Sequence, residues 1–275
     1  MNVNNLAVSD PNFSVVVPGR CVAKCKFCFW QYEPACEDYI DVLCKTMEQL
    51  PGQFNQLSLT GGEPTSSPFF VRVLNSINRG QFKKVVLTTN GYHLDIRYHI
   101  NNMVGVVDHV NVSRHDVSDI DNWRVFNVLT DNRRSATHVI PDTETLKYSV
   151  NNMHNVGINV NLNCVLCQPS WTHKDAQLFI DYARMIGADS VCFRVPHGTI
   201  NPTDIESYFV KQYGILGEYS CPVCRTVSQS VDGFPVLWKS SVSEPSKDLG
   251  SIYELIFHPD GSLTADWGKS ITVDM

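Results

Sequence analysis

The 275-residue sequence has no run of about 18 consecutive apolar residues, the length a membrane-crossing helix needs. Its opening residues, Met1-Asn-Val-Asn-Asn-Leu6, carry neither the basic nor the apolar stretch of a secretory leader. Together these absences give the expectation of a cytoplasmic protein with no membrane partner. Low-complexity segments and internal repeats are also missing. Basic charge is scarce: 22 Lys and Arg against 28 Asp and Glu leave a net charge of −6. A broad grip on nucleic acid rests on a basic face, so the charge does not indicate such a partner. Local contacts through Arg72, Arg79, Lys83, Lys84, Arg133 and Arg134 stay open. No nucleophile–base motif of a hydrolase stands out.

Cysteine, by contrast, is plentiful, with ten residues. In a chain of this length without a leader, clustered cysteines point to metal rather than to a disulfide framework. Three of them fall in Cys21-Val-Ala-Lys-Cys25-Lys-Phe27-Cys28. The stretch follows a β-branched run over 13–17, which Pro18-Gly19 ends, so a strand is predicted to turn into a loop there. Three thiolates on one loop can hold three irons of a [4Fe–4S] cluster. An electron carrier supplies a fourth cysteine at matching spacing; here the next is Cys36, beyond Pro34. One iron is then left open, and an open metal position is where chemistry takes place. The rival readings are a zinc knuckle or three free thiols, but zinc wants a fourth Cys or His at short spacing, which this loop lacks.

Hydrophobic content of 43% with 18% charged residues suits a packed globule. Apolar periodicity predicts a helix over 38–50, stopped by Pro51-Gly52, and a strand over 53–59 ending in Thr60-Gly61-Gly62-Glu63-Pro64-Thr65. A helix over 68–79 and a strand over 84–89, running into Asn90-Gly91, come next. A strand over 104–112 ends in Ser113-Arg114-His115. Helices near 121–129 and 142–155 precede an alternating strand over 157–165. A helix over 172–187, capped by Thr172 and closed by Gly187, leads to a sixth strand over 190–195. Six strands alternating with helices imply an α/β fold with parallel pairing and right-handed crossovers. Six units are too few for the eight-unit barrel. In parallel barrels ligands gather at the C-terminal strand ends, where each candidate motif falls.

Several residues at those ends invite chemical readings. Gly61 and Gly62 let the backbone approach a ligand closely. Asn159, Asn161 and Asn163 share one strand face, and each buried amide without a partner costs ~1–3 kcal/mol. Arg194, in an apolar strand, offers a planar fork suited to a carboxylate. Arg114 is expected to be solvated or paired with an acidic neighbour, and His197 is a weaker site candidate.

The pattern C-x3-C-x2-C, with aromatic Phe27 before the last cysteine, resembles the radical S-adenosylmethionine (radical SAM) superfamily. The resemblance implies an open, partial (β/α)6 TIM-like barrel over 1–199. It implies a [4Fe–4S] cluster on Cys21, Cys25 and Cys28 whose open iron chelates SAM, with Phe27 near the adenine. Gly61-Gly62-Glu63-Pro64 looks like the family's GGEP motif, which binds the SAM amino group; Glu63 either joins in or braces the loop. Asn90 is implied near the methionine or ribose, Ser113 and His115 near the ribose or carboxylate, Asn161 or Asn163 on the ribose, and Arg194 on a carboxylate of SAM or substrate. Residues 200–275, with strands over 233–239 and 253–267, resemble a short SPASM- or twitch-type β-hairpin extension. Only Cys221 and Cys224 lie in that region, and Ala265-Asp266 stands where such hairpins often carry a cysteine. The two C-x2-C pairs, Cys164/Cys167 and Cys221/Cys224, leave a four-sulfur zinc site open.

The function implied is reductive cleavage of SAM to a 5′-deoxyadenosyl radical, which abstracts a substrate hydrogen. Modification or isomerisation of a nucleoside, nucleotide or amino-acid-derived group, with nucleic acid still open, is the leading expectation. Peptide modification is the alternative, and a non-catalytic metal-binding module the reading from another class. A flavodoxin- or ferredoxin-like reductant is the implied partner.

Overall fold

A computed structural model describes residues 12–28, 30–128, 139–195, 203–220, 224–241, 252–269 and 271–273. His197, Cys221, Arg133 and Arg134 lie outside them. Eleven strands form a single sheet in the order β11-β10-β1-β2-β3-β4-β5-β6-β9-β8-β7. β1 (Asn12–Val17), β2 (Phe54–Gly61), β3 (Phe82–Thr89), β4 (His109–Ser113), β5 (Asn159–Val165) and β6 (Ser190–Arg194) pair in parallel, each with the next. Between them run α1 (Tyr39–Gln49), α2 (Phe70–Ser76), α3 (Arg97–Met103), α4 (Asp119–Val125), α5 (Thr143–His154) and α6 (His173–Ile186). This is the parallel α/β arrangement that the helix–strand rhythm predicts, in the partial-barrel form that the resemblance implies.

The C-terminal part joins its hairpins to the barrel sheet. After α7 (Asp204–Tyr213) come β7 (Gly217–Ser220), β8 (Cys224–Val231), β9 (Phe234–Ser241), β10 (Glu254–Phe257) and β11 (Leu263–Thr264). The stretch expected at 233–239 is β9, antiparallel to β8, and the one expected at 253–267 with its Pro-Asp-Gly turn holds the antiparallel pair β10–β11. β9 joins the β6 edge and β10 the β1 edge, both in parallel. The barrel wall therefore carries eight parallel strands in a row, and the sheet runs without a break across the expected boundary near 199. β8 and β7 extend it antiparallel beyond β9, and β11 beyond β10.

Side chains alternate across these strands, and the two faces differ in chemistry. Phe13, Leu57, Leu59, Val85, Leu87, Val110, Val112, Val160, Leu162, Val191 and Phe193 join the helices in one apolar core. The opposite face, which lines the barrel lumen, reads Ser14, Ser58, Thr88, Asn111, Asn161 and Ser190. Register brings Thr88, Asn111, Asn161 and Ser190 into one row across four strands. Within it Asn161 Nδ2 donates to Asn111 Oδ1 at 3.1 Å, and Ser190 Oγ donates to Asn161 Oδ1 at 2.8 Å. The strand set is thus apolar outward, where it packs on its helices, and inward sets these hydroxyls and amides beside buried Val16 and Val86.

Caps fix where the helices begin. Ser118, Asp142 and Thr203 each accept from a first-turn amide, and Thr172 forms a full capping box with Asp175. Gly187, at φ 87°, closes α6 in the left-handed conformation. The strand expected over 104–112 shortens to β4 because Val106 and Val107 amides turn back onto Met103 O. Among the described residues, no helix is long and apolar enough to cross a membrane.

Candidate functional site

The cysteine loop leaves β1 at Pro18 and is held from three sides. Ser67 Oγ donates to Pro18 O, and Ser66 Oγ to Arg20 O at 3.1 Å, so the turn after β2 staples its start. Lys24 N donates to Phe126 O at 2.9 Å. Ala23 then packs with Trp123, Phe126 and Ile140 in a small cluster that Cys21 and Cys25 flank. Gly62 lies beneath the loop, and a Cβ there would stand 2.8 Å from Cys21 N and from the Trp30 ring. Gly61 holds φ 140°. The glycine pair therefore lets β2 nest under the cysteine loop, a packing reason where the sequence suggests close approach to a ligand.

Glu63 is 1% exposed and spends its carboxylate on this architecture. Oε1 accepts from Thr65 N at 3.1 Å, Thr65 Oγ1 at 2.7 Å and Thr89 Oγ1 at 2.6 Å, while Oε2 accepts from Asn90 N at 2.7 Å. Of the two roles open for Glu63, the bracing one describes its contacts. Burial pushes its pKa up, and the four donors work against that. Pro64 starts the short 3-10 turn Pro64–Ser66 that Glu63 caps. Asn90, also buried, accepts from Tyr92 N at 3.0 Å and points Nδ2 at Cys21 Sγ, 3.8 Å away. Its side chain thus faces the cysteine itself rather than open space.

Cys21 and Cys25 are half-buried and Cys28 exposed, all as free thiols. Burial pushes Cys21 up to about 11, with Glu63 and Cys28 adding and hydrogen bonds from Ala23 and Asn90 opposing. Burial, then Cys28 and Cys21, take Cys25 to about 12. Cys21 and Cys25 so raised do not ionise together unless strong positive charge arrives, and a coordinating metal supplies it. Among the described residues no three His, Cys, Asp or Glu side chains converge on one ion. Cysteines spaced around one loop, each free to meet a different iron, fit a multi-iron cluster better than a single cation.

Phe27 meets His115 edge-on at 5.0 Å, and His115 packs on Phe126 at 4.8 Å. His115 is buried; its Nδ1 accepts from Val165 N at 3.1 Å, which leaves the ring proton on Nε2. Burial, then the Arg114 charge, hold its pKa down at about 3. Arg114 corrects the solvated alternative. It is 1% exposed, pairs with Asp119 at 2.6 Å, donates to Asp116 O, Val117 O and Pro141 O, and lies over the Tyr182 ring. Ser113 and Asn163 are register partners at the ends of β4 and β5. The three asparagines do not share one environment. Asn159 is exposed, Asn161 is satisfied within the lumen row, and Asn163 is 6% exposed without a side-chain partner among the described residues. Arg194 closes β6 on the lumen face, opposite Lys239 of β9.

Nothing among the described residues supports the zinc site. Cys164 is buried in the outer core, whereas Cys167, just past β5, acts electrostatically on Cys25. Cys221 lies outside the described residues, and of Cys224 only the backbone in β8 is described. Reasoning from sequence missed Thr89, Asn122 and Lys239. Thr89 stands in the same Thr-Thr-Asn-Gly run as Asn90, so that signal was present. Asn122, whose Oδ1 holds His115 N at 2.8 Å, and Lys239 had none.

Residues 15–183, well over half of the chain, match the model of the Radical SAM superfamily. A "Probable GTP 3′,8-cyclase" from Saccharolobus islandicus is 31% identical over 103 residues, 36% of this chain and 32% of that protein. An "S-adenosylmethionine-dependent nucleotide dehydratase" from a Thermoplasmatales archaeon is 26% identical over 177 residues, 62% of this chain and 58% of that one. The chain spans about a third of the length of the cyclases it matches. Among solved structures, Streptococcus suis SuiB superposes with TM-score 0.61 at 14% identity, covering 94% of this chain and 61% of SuiB. At that identity the likeness speaks for the fold.

Proposed function

The chain belongs to the radical SAM superfamily, and from that premise we propose that this radical SAM enzyme acts on a nucleoside, a nucleotide or a similar polar metabolite. Cys21, Cys25 and Cys28 hold the cluster, and the mouth formed by the ends of β2 to β6 holds SAM. Bound there, the cluster would supply the one-electron chemistry for reductive cleavage of SAM, with a flavodoxin- or ferredoxin-like protein as the electron source. The protein's own part is positional. Glu63 ties the ends of β2 and β3 together, Asn90 donates toward Cys21, and Phe27 is held by the buried, neutral His115. Ser113, Asn163 and Arg194 face the mouth and take up cofactor or substrate. β10 on the β1 edge and β9 on the β6 edge extend the wall and would help exclude water from the reaction.

The observation that carries the substrate reading is the polar lumen row from Thr88 to Ser190. A row of hydroxyls and amides suits a hydrogen-bonding substrate better than an apolar one. The two relatives named for nucleotide chemistry support it. Anaerobic reconstitution with iron and sulfide, followed by dithionite and SAM, tests the activity. Wild type is expected to form 5′-deoxyadenosine, and Cys25→Ala to lose both cluster and product. Deuterated nucleosides and nucleotides then locate the abstracted hydrogen. A wild-type protein that keeps its cluster but never cleaves SAM, with or without cell extract, overturns the proposal.

A further inference from the structure

Two cations stand side by side at the barrel mouth. Arg194 and Lys239 are register partners on the parallel strands β6 and β9. One position earlier on each strand, Phe193 and Trp238 stack at 4.7 Å in the outer core. Alternation therefore turns Arg194 and Lys239 to the lumen face. Both are half-buried, and neither forms an ion pair or a side-chain hydrogen bond among the described residues. Arg79, Arg114 and Arg225 each meet a carboxylate at 2.6 Å.

Like charges opposite each other on adjacent strands are destabilising, and partial burial raises the cost. Such a pair is at home where an anion fills the gap. Their field points inward: burial raises the Cys192 thiol, and Arg194 and then Lys239 pull it back. Cys192 belongs to the row just below, where register places it beside Asn163, itself beside Ser113. The Asn163 side chain, more than nine-tenths buried, has no hydrogen-bond partner among the described residues and stands on the same lumen face by register. Across from Lys239, Thr226 of β8 adds a hydroxyl to the upper row.

We propose that Arg194 and Lys239 seat a phosphoryl group of the substrate, with Asn163 meeting the polar part next to it. The charge count favours phosphate over a lone carboxylate. One arginine fork suffices for a monoanion, whereas two cations match a dianionic or polyanionic group. The proposal rests on the radical SAM reading of this mouth and adds to it the class of substrate.

Inorganic tripolyphosphate is the probe, titrated calorimetrically into the reconstituted protein with SAM present. Wild type is expected to bind it, more weakly at higher salt. Arg194→Gln and Lys239→Met should each weaken binding roughly tenfold, the loss of one charge-assisted contact. Arg194→Lys should keep part of the affinity, and Lys174→Gln should stay within about twofold because Lys174, exposed on α6, lines a groove with Gln177, Tyr208 and Tyr213 of the helix layer rather than the lumen. Iron content and circular dichroism report folding; should Arg194→Gln not fold, Lys239→Met decides. No wild-type binding, or variants that bind like wild type, overturns the proposal. So does a loss of SAM affinity as large as the loss for tripolyphosphate, since the cations would then serve the cofactor's carboxylate. Absence of 5′-deoxyadenosine from wild type is a separate failure. It removes the functional reading, while the tripolyphosphate titration still stands or falls alone.

Discussion

The barrel mouth has two sides, and they differ in how completely their polar groups are matched. Over β2 and β3, Glu63 accepts four hydrogen bonds, Thr89 accepts from Gly91 N at 3.0 Å, and Asn90 bonds Tyr92 N while reaching Cys21. Over β6 and β9, Arg194 and Lys239 face each other without a counter-charge among the described residues, one lumen row above Asn163, whose side chain has no partner among them. A satisfied network resists rearrangement, which suits the side that carries the cysteines. Unmatched groups keep their interaction energy for a molecule that arrives later. The contrast separates a holder from a receiver within one sheet.

The sharpest way to break the contrast is Glu63→Ala. It leaves the Thr65 and Asn90 amides and the Thr89 hydroxyl proton without their acceptor around a cavity, while Thr65 Oγ1 keeps Tyr92 O, and each unsatisfied buried donor costs about 1–3 kcal/mol. Urea unfolding should show that loss, together with poorer retention of iron. Glu63→Gln keeps the shape and two lone pairs, so it should lose less than half as much. A loss below about 1 kcal/mol for Glu63→Ala would mean the network is not the brace described here.

His115, at the end of β4 between the two sides, gives the next effect through pH. Its folded pKa, about 3, lies below the ordinary value of 6.5. Between those values the unfolded chain binds a proton that the folded one refuses, so stability is fully present above pH 6.5 and is lost as pH falls toward 3. The contribution at stake is about 5 kcal/mol at most. His115→Gln, which keeps an acceptor for Val165 N, should flatten this part of the stability–pH curve. An unchanged slope in the variant would assign the acid loss to other groups.

How much of this was legible in sequence follows from how local each signal is. Thr172, Asp175 and Gly187 carry their capping chemistry within one helix, and α6 begins and ends within a residue of its predicted limits. The cysteine loop and Gly61-Gly62-Glu63-Pro64 are likewise contiguous and were found. α3 escaped because Arg97-Tyr-His-Ile-Asn-Asn-Met103 buries only Ile100 and Met103. The pairing of β10 with β1 links residues over two hundred positions apart, and no turn chemistry announces it. Glu63's four donors and the burial of Arg114 come from separate elements as well. Lys239 read as one more charge on a strand until register set it beside Arg194.

That same pair supplies the smallest effect and the finest test of the comparison. On the satisfied side, removing a polar group destabilises because its partners lose their bonds. On the receiving side Lys239 has no partner to orphan, and Lys239→Met keeps the apolar stem while removing one of two facing like charges. Stability of the substrate-free protein should therefore hold or rise, by up to about 0.5 kcal/mol in urea unfolding. The gain should shrink as salt screens the repulsion. A loss of more than about 1 kcal/mol would show that Lys239 is already engaged within the fold, and the two sides of the mouth would then be alike.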